Sequence, residues 1–475
     1  MMPVSLMWFR NDLRVDDNDA LSHATKSGQP VVGVYLYCPK QLKLHQEGNV
    51  KQDFLIQNLF ALEKRLRALD IPLLVIKANE FKNCSKEIST VINKYDVTKL
   101  FFNKEFGVNE EKRDQEVIAL IAKERIEVKT FSDQVLFEPG SLKTQQDKPF
   151  SVFTPFKRRW IEHFDLDLLD IHPPKKNKKS LNISSNIESF DFEFSITHEV
   201  DMNLWPAGED EAKKRLKNYL SKGVLSYHSD RNDPILDGTS RISPYLALGV
   251  ISFKYCLLEA LKTNNFELTS GHKGVVKWVD ELIWREFYRN IMFSFPKVSM
   301  NKPFQDFTNN IEWRHSESEL NAWKNGETGI PIIDAAMKQL RFEGWMHNRL
   351  RMVVAMFFTK NLLHDWRIGE GFFMEMLIDG DFPSNNGGWQ WSASTGTDAA
   401  PYFRIFNPIA QSERFDPDGA FIKKWIPSLK NLSSKEIHCP PHDLFSSNDY
   451  PKPIVDLKES RLRAIEAFKA SKTSD

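Results

Sequence analysis

The spacing of apolar residues changes once along this chain, and that change constrains the fold more than any other feature. Residues 4–131 alternate short apolar runs with stretches of helical periodicity. Alternating strands and helices predict a parallel sheet covered by helices on both faces. From Trp205 onward the apolar spacing is helical throughout. The sequence therefore predicts an α/β N-terminal domain with a Rossmann-like parallel sheet, followed by an all-α domain.

The elements predicted from this periodicity divide the chain into three parts. The predicted strands are Ser5–Phe9, Val31–Tyr37, Leu73–Lys77, Leu100–Asn103 and Glu127–Thr130. The predicted N-terminal helices are Asn18–Lys26, Lys51–Leu69, Ser85–Lys94 and Asn109–Lys123. The predicted C-terminal helices are 209–222, 243–263, 272–293, 317–325, 331–342, 345–363, 370–378 and 417–426. We expect an α/β domain at 1–132, a connector at 133–204 and an all-α domain at 205–470.

The connector contains two prolines and then a run of lysines at 173–179. A chain breaker followed by a charge run is typical of an exposed linker. Contact of these lysines with phosphate groups is the alternative. We favour the exposed linker.

Charge and cysteine usage exclude several classes of protein. The 64 basic residues balance the 64 acidic ones, so a polyanion could be recognised only by a local basic patch. The four cysteines form no C-x-x-C pair, which argues against a disulfide framework and a zinc site and predicts a reducing compartment. No apolar run approaches membrane-spanning length and no signal peptide is evident, so we expect a cytosolic protein without a membrane partner. The predicted basic patch consists of Arg341, Arg349, Arg351, Lys360 and Arg367, with a solvated helix face as the alternative.

A polar turn, Arg10-Asn11-Asp12-Leu13-Arg14, follows the first predicted strand. Open α/β sheets place ligands at the carboxyl ends of their strands, so the turn could bind a ligand. It could equally be a capped, salt-bridged loop, and the residues alone favour neither. No G-x-G-x-x-G follows the strand, which excludes a standard dinucleotide site there.

Two polar segments of the C-terminal region resemble ligand-binding loops. Ser243 followed by Pro244 predicts a helix start with Ser243 as N-cap, and free N–H groups at such an end can bind phosphate. A simple helix cap is the alternative. Asp379-Gly380-Asp381 lacks the third oxygen ligand of a calcium loop, because Pro383 stands at that position. We therefore expect no metal.

Residues 344–407 mix tryptophan, arginine, asparagine and glycine in a way that an ordinary core does not need. Trp345, Asn348, Arg349 and Met352 have helical spacings of three, four and seven, which predicts one shared helix face. A face this polar suits the wall of a cavity that holds a flat, partly polar ligand.

A second helix face is predicted at Glu281, Trp284, Arg285 and Tyr288, spaced i, i+3, i+4 and i+7. Charged groups are unusual in a buried stripe. Aromatic rings beside hydrogen-bonding groups suit an unstacked base.

The chain resembles the photolyase/cryptochrome flavoproteins, and most closely the class I members that repair cyclobutane pyrimidine dimers. The resemblance spans nearly the whole chain, is weakest at 173–204, and is carried by Trp8–Arg14, 238–243, 284–288 and 344–407. It implies a light-driven DNA repair enzyme that splits pyrimidine dimers by electron transfer from photoexcited reduced FAD (FADH⁻). A cryptochrome-type blue-light signalling flavoprotein and an electron-transfer flavoprotein without a DNA role are the alternatives.

The resemblance also implies the flavin site. Asn385 would lie beside the flavin N5, where an amide can donate or accept a hydrogen bond. Cryptochromes of plants and insects carry aspartate and cysteine there, so asparagine favours repair. Arg351 would pair with Asp379. The implied FAD-binding residues are Tyr227, Thr239, Ser240, Arg241, Ile242, Ser243, Trp278, Arg285, Asn348, Asp379, Gly380 and Asp381. Three tryptophans, Trp389, Trp366 and Trp313, would relay electrons from the surface to the flavin.

The implied DNA site lies next to the flavin. Trp284 and Trp391 would form an aromatic wedge against the dimer, and Glu281 would hydrogen-bond the thymines during catalysis. His347 is present, but the second histidine of (6-4) repair enzymes is absent. The implied DNA-binding residues are Arg231, Glu281, Trp284, Arg285, Asn348, Arg349, Met352 and Trp391, with Arg404 as a further phosphate candidate.

A second chromophore is implied in the N-terminal domain. Asn109 and Glu110 match the pair that holds a reduced folate, 5,10-methenyltetrahydrofolate. Residues 299–301, Ser-Met-Asn, depart from the family pattern, so a deazaflavin or no antenna remain alternatives. We expect a cytoplasmic monomer without an obligate protein partner, associated with the nucleoid if the source is bacterial.

Overall fold

The computed structural model describes residues 3–124, 126–179, 181–441 and 449–473. Five strands form one sheet in the order β3-β2-β1-β4-β5, and every pairing in it is parallel. The α/β prediction for the N-terminal region is confirmed. The strands are β1 Val4–Phe9, β2 Val31–Tyr37, β3 Leu73–Lys77, β4 Val97–Asn103 and β5 Glu127–Phe131.

The central strands are buried on both faces, as a parallel sheet requires. In β1, Met7 and Phe9 belong to one apolar cluster, whereas Leu6 and Trp8 belong to another on the opposite face. This alternation follows from the two-residue period of a strand. The helices of this region are α1 Asp19–Lys26, α2 Pro39–Leu44, α3 Asn49–Ala68, α4 Cys84–Tyr95 and α5 Val108–Ile121.

Among its described residues, the connector contains one α-helix, α6 (Phe153–His163), and otherwise short 3-10 turns and irregular segments. Its lysine run is exposed, as predicted, except at Asn177, which is buried. The Asn177 amide accepts from Val31 N at 2.9 Å and donates to the Val31 carbonyl at 3.1 Å. Asn186 makes the same pair of bonds with Val75 in β3, so the connector covers the edge of the sheet.

The C-terminal region is helical, which confirms the all-α prediction. Its first helices are α7 Glu209–Lys222, α8 Tyr227–Asp230, α9 Ser243–Ala247, α10 Phe253–Thr263, α11 Lys273–Ser294, α12 Glu317–Asn325 and α13 Pro331–Glu343. The remaining helices are α14 Asn348–Met356, α15 Trp366–Met376, α16 Phe382–Ala393, α17 Pro408–Phe415, α18 Ala420–Trp425 and α19 Leu457–Thr473. No described helix combines the length and apolarity needed to cross a membrane.

The prediction of one continuous helix over 243–263 is wrong. The chain leaves helix after Ala247 and re-enters it at Phe253. Gly249 has a left-handed φ of +61°, and a Cβ there would lie 2.1 Å from the Asn11 carbonyl oxygen. The close approach of the N-terminal region therefore requires a glycine and a turn at this position.

The predicted helix 345–363 also differs. It begins at Asn348, after His347 accepts from Arg349 N as N-cap, and it changes to a π-helix at Phe357–Asn361. Trp345 therefore precedes the helix and does not share a helix face with Asn348. A side chain that caps the backbone decides this start, and apolar periodicity does not report it.

The prediction that Ser243 caps α9 is wrong by one position. Ile242 is the N-cap residue and Ser243 is the first helical residue. The Ser243 hydroxyl donates to Asp379 Oδ2 at 2.7 Å. A tertiary contact therefore takes the hydroxyl that local sequence assigned to the cap.

The polar turn after β1 is a salt-bridged contact between the two regions. Arg14 pairs with Asp133 and donates to the Gly249 carbonyl at 3.1 Å. Leu13 N donates to the Leu248 carbonyl at 3.2 Å. The structure thus favours the salt-bridged loop over the ligand site for this turn.

Candidate functional site

Asp379 joins three segments of the C-terminal region. It accepts two hydrogen bonds from Arg351 Nη2, at 3.0 Å to Oδ1 and 2.8 Å to Oδ2. The predicted Arg351–Asp379 pair is confirmed. Because Ser243 donates to the same carboxylate, the loop before α9 lies against the segment before α16.

Asp381 is the second carboxylate of this segment and caps α16 by accepting from Ser384 N at 3.3 Å. Arg289 Nη2 donates to its Oδ1 at 2.6 Å. Burial disfavours the charge on Asp381, but Arg289 and Arg285 outweigh that cost and hold its pKa well below the usual range. Asp381 is therefore ionised at neutral pH.

Arg285 lies on the same side of α11 as Arg289. Its guanidinium donates to the carbonyls of Gln134 at 2.7 Å and Leu246 at 3.1 Å. Burial and the neighbouring Arg289 lower the pKa of Arg285 to about 9. The side chain thus links α11 to the start of the connector and to α9.

The loop at 239–243 is enclosed by aromatic side chains. Trp278 Nε1 donates to Ser240 Oγ at 3.2 Å. Arg241 has a left-handed φ of +47°, pairs with Glu343 at 3.3 Å, and lies 4.7 Å above the Trp345 ring. Tyr227 is buried nearby, with its ring 5.5 Å from Arg231.

These residues fit a flavin dinucleotide. Hydroxyls at Thr239 and Ser240 and the Arg241 cation are donors of the kind that a diphosphate requires. Asn385 and Gly388 lie at i and i+3 on α16 and so share one side of that helix. A Cβ built on Gly388 meets no atom within 4 Å, so this side of α16 faces open space next to Asn385.

Asn385 has a buried acidic partner that the sequence did not reveal. Its Nδ2 donates to the Glu370 carbonyl at 3.0 Å and to Glu370 Oε1 at 2.9 Å. Burial raises the pKa of Glu370 to about 7, against the lowering effect of the Asn385 amide. Glu370 thus accepts both hydrogen bonds from the Asn385 amide nitrogen. The amide oxygen of Asn385 is left to accept a hydrogen bond from a ligand. Glu370 carries no local signal, because only its burial distinguishes it from a surface glutamate.

Two of the predicted DNA-contacting residues line a groove of about 530 Å³. Arg231 and Arg349 line it, together with Lys273 and Lys277, which the sequence did not single out. Arg231 forms an ion pair with the partly exposed Glu281 on α11.

The predicted DNA-binding residues make further contacts within the protein. Arg349 Nη2 donates to Asn232 Oδ1 at 2.6 Å. The Trp284 ring is stacked on Phe153 at 3.6 Å and contacts Tyr288 at 5.6 Å. Asn348 and Met352, at i and i+4 on α14, share one face of that helix.

The basic patch predicted at 341–367 does not form one surface. Lys360 is completely buried, with Nζ 2.9 Å from Ser394 Oγ and 3.4 Å above the Phe468 ring. Arg351 points inward to Asp379. That prediction is therefore wrong: the basic groove takes Arg349 from this run and its other cations from α11 and from Arg231, the residue after α8.

The three predicted relay tryptophans differ in exposure. Trp389 and Trp366 are buried, whereas Trp313 is partly exposed. Trp389 packs against Phe373 at 5.0 Å and against Trp323 at 6.1 Å. Trp391, at the end of α16, is partly exposed and its carbonyl accepts from Ala400 N.

Asn109 and Glu110 lie far along the chain from these residues, on α5 of the N-terminal region. His45 Nε2 lies 3.0 Å from Asn109 Nδ2, and His45 Nδ1 lies 3.6 Å from Glu110 Oε1. Burial raises the pKa of Glu110. The turn Pro296–Met300 contacts α5, and Met300 is exposed there. The described residues contain no cluster of three metal-ligating side chains.

Comparison with known proteins shows the family. Residues 5–178 match the model described as DNA photolyase, and residues 278–470 match the FAD binding domain of DNA photolyase. The deoxyribodipyrimidine photo-lyases of Salmonella typhimurium and Escherichia coli are 40% and 39% identical, each over 99% of this chain and 99% of its own length. A class III photolyase from Agrobacterium tumefaciens superposes with a TM-score of 0.90 at 32% identity, covering 100% of this chain and 98% of its own. A Synechocystis cryptochrome gives 0.86 at 28% identity, covering 98% and 99%. This chain belongs to the DNA photolyase family.

Proposed function

We propose that this chain is a deoxyribodipyrimidine photo-lyase, which uses light to split cyclobutane pyrimidine dimers in DNA. The observation that carries the proposal is the arrangement of α11. One side of this helix contacts the proposed flavin-binding segments. Trp278 donates to Ser240, and Arg289 donates to Asp381. Glu281 of the same helix pairs with Arg231 of the basic groove, and Trp284 lies three residues further along the same face. A cofactor and a flipped-out dimer would thus meet across a single helix.

The side chains of this chain hold, orient and shield the reactants. Reduced FAD, when bound, absorbs light and supplies the electron that opens the cyclobutane ring. Thr239, Ser240 and Arg241 would hold its diphosphate, and Asp379 fixes that loop through Ser243. Trp278 would close the cavity from α11. The remaining proposed FAD contacts are Tyr227, Ile242, Arg285, Asn348, Gly380, Asp381 and Asn385.

Recognition of the dimer would combine stacking and charge. Trp284 and Trp391 offer partly exposed indoles to the two bases. Glu281 would hydrogen-bond the thymine edges, held in place by Arg231. Met352 would pack against the bases, while Arg231, Arg349 and Arg404 would meet phosphates.

The state of His347 favours cyclobutane dimers over (6-4) lesions as substrate. Burial and the nearby Arg349 and Arg241 lower the pKa of His347 to about 3. Its Nδ1 accepts from Arg349 N. A neutral, backbone-capping histidine is a poor proton donor, and proton donation to a transferred hydroxyl is what (6-4) repair requires.

The enzyme is tested by illuminating the purified flavoprotein with an oligonucleotide that contains one thymine dimer. We expect thymine absorbance to recover in light and not in darkness, and no recovery with a (6-4) oligonucleotide. Glu281→Ala and Trp284→Ala should reduce binding to the dimer oligonucleotide. Equal affinity for damaged and undamaged DNA, or no recovery with reduced flavin, would exclude repair and favour a signalling role.

The tryptophan relay is a separate proposal about how the flavin becomes reduced. Trp389 and Trp366 are buried and Trp313 reaches the surface, an order of exposure that suits a path from solvent to flavin. We expect Trp313→Phe to slow photoreduction under blue light with a thiol donor. Photoreduction at the wild-type rate would rule out Trp313 as the outer step.

The antenna is proposed to be 5,10-methenyltetrahydrofolate, held by Asn109 and Glu110. The partly exposed Glu110 next to His45 supports a polar site on α5 that could hydrogen-bond a pterin ring. Reconstitution with the folate should add an absorption band that sensitises repair, and Glu110→Ala should lose it. Retention of a deazaflavin, or of neither chromophore, would favour the alternatives. We further propose a cytoplasmic monomer that acts on the nucleoid without a protein partner.

A further inference from the structure

The connector helix α6 packs along α11, the helix that carries Glu281 and Trp284. Lys157 Nζ lies 2.5 Å from Asp280 Oδ1. One turn further on, Trp160 Nε1 donates to Glu286 Oε1 at 3.1 Å. These two contacts fix α6 against a length of α11 that includes the dimer-facing residues. The connector is therefore part of the scaffold of the site.

Phe153, the first residue of α6, covers one face of the Trp284 indole. The two ring centroids lie 3.6 Å apart and the planes differ by 8°. Phe153 is only 7% exposed, whereas Trp284 is partly exposed. An indole has two faces, so one is held by protein and the other remains available for a ligand ring.

Phe153 and the residues just before it also contact the loop that follows Trp391. Phe153 N donates to Asp398 Oδ2 at 3.2 Å, and the Thr397 hydroxyl donates to the Ser151 carbonyl. In the same loop, Ala400 N donates to the Trp391 carbonyl at 3.2 Å. Residues 151–153 therefore touch both tryptophan-bearing parts of the site, α11 directly and the end of α16 through this loop.

We infer that Phe153 is a positioning residue for dimer recognition: it sets the plane of Trp284, and residues 151–153 set the separation of Trp284 from Trp391. This inference rests on the proposed function, because it takes Trp284 and Trp391 as the surfaces that receive the dimer. An unsupported indole at a groove samples several rotamers and loses that freedom when a base stacks on it. Stacking by Phe153 removes most of this freedom before the dimer binds.

The test compares two phenylalanines of the connector that are equally buried. Phe153→Leu keeps an apolar side chain but removes the ring from Trp284. Phe150→Leu is the matched control, because Phe150 is also 7% exposed and its ring contacts Phe156 at 6.0 Å. Phe153→Tyr retains the ring and serves as the rescue variant.

The readout is the ratio of affinities for a dimer-containing and an undamaged oligonucleotide, measured on the FAD-loaded protein. We expect Phe153→Leu to lower this ratio about three- to tenfold, with repair at saturating DNA largely retained. Phe150→Leu should lower thermal stability and leave the ratio unchanged. Phe153→Tyr should restore it.

An unchanged ratio in Phe153→Leu would overturn the inference when Trp284→Ala abolishes selectivity. If Trp284→Ala also leaves selectivity intact, the proposed dimer site itself fails. Should Phe153→Leu lose FAD, Thr397→Val provides the test, because it removes only the hydroxyl bond to Ser151. A wild-type ratio in Thr397→Val would then refute the role of residues 151–153.

Discussion

At the scale of single residues, the charges in the proposed flavin-binding segments are neutralised in specific ion pairs. Asp379 is paired with Arg351, and Asp381 with Arg289. A buried carboxylate that loses its cation retains the cost of desolvation without compensation. Each of these pairs is therefore expected to affect both stability and cofactor retention.

Arg351→Met tests the first pair. Among the described residues, the variant leaves the Ser243 hydroxyl as the side-chain donor to Asp379, so we expect the free energy of unfolding to fall by about 1–3 kcal/mol and the FAD content to decrease. Urea denaturation and flavin absorbance measure the two effects. The control is Arg159→Met. The ion pair of Arg159 with Glu162 has two exposed side chains, so it should contribute under about 1 kcal/mol to stability. Equal losses in both variants would contradict the expectation.

Glu370 makes stability depend on pH. Its pKa is raised by burial from 4.5 to about 7. Between these values the folded protein holds a proton that the unfolded chain releases, so this group destabilises the fold as pH rises through that window. Glu370→Gln removes the titration, because its amide stays neutral while its oxygen can still accept from Asn385.

As the pH rises from about 5 to about 8, we expect the free energy of unfolding to decrease by about 1–3 kcal/mol less in Glu370→Gln than in wild type. Urea denaturation at several pH values measures this difference. Glu375→Gln, on the exposed side of α15, should follow the wild-type profile. A stability change in Glu370→Gln that is the same at every pH would refute the assignment.

At the scale of elements, two helix contacts require glycine. A Cβ on Gly387 of α16 would lie 2.2 Å from two ring atoms of Tyr288 on α11. A Cβ on Gly369 of α15 would lie 2.2 Å from the Trp389 ring on α16. Close packing of these aromatic side chains against a helix backbone explains why glycines occur inside two helices that carry site residues.

Gly387→Ala and Gly388→Ala form a matched pair on α16. The first forces a clash with the Tyr288 ring and should cost about 1–3 kcal/mol, more than the gain in helix propensity. The second meets no atom within 4 Å and should stabilise the helix by about 0.5–1 kcal/mol. Thermal unfolding of the two variants measures both. Similar melting temperatures would contradict the packing argument.

Element types could be predicted more fully than element ends. The strands and most helices follow from apolar periodicity over a few residues. The break between α9 and α10 could not be predicted, because it depends on the approach of Asn11 to Gly249 across the domain contact. The start of α14 depends on a histidine cap, which residue statistics do not favour.

At the scale of the whole molecule, we propose that DNA binds at the basic groove. Arg231, Lys273, Lys277 and Arg349 concentrate positive charge there, although basic and acidic residues balance overall. Such a local site releases counterions from only a few phosphates. The salt dependence of DNA binding should therefore be modest.

Lys273→Gln tests this groove. Lys273 is exposed at the first residue of α11, and we expect its loss to weaken binding to damaged and undamaged DNA equally. The slope of log affinity against log salt should fall by about one. Lys43→Gln, on the exposed side of α2, should leave the slope unchanged. A selective loss for damaged DNA would show that Lys273 reads the lesion.

The sequence by itself determined the order of the strands, the α/β and all-α regions and the segments that identify the family. Those properties are encoded locally, in periodicity and short motifs. Only the tertiary structure decided which distant groups meet: it buries Lys360, brings Cys38 Sγ within 3.7 Å of Cys84 Sγ, and stacks Phe153 on Trp284. Some of these contacts join residues more than a hundred positions apart. No local pattern in the sequence reports them, because they form only when distant elements pack together.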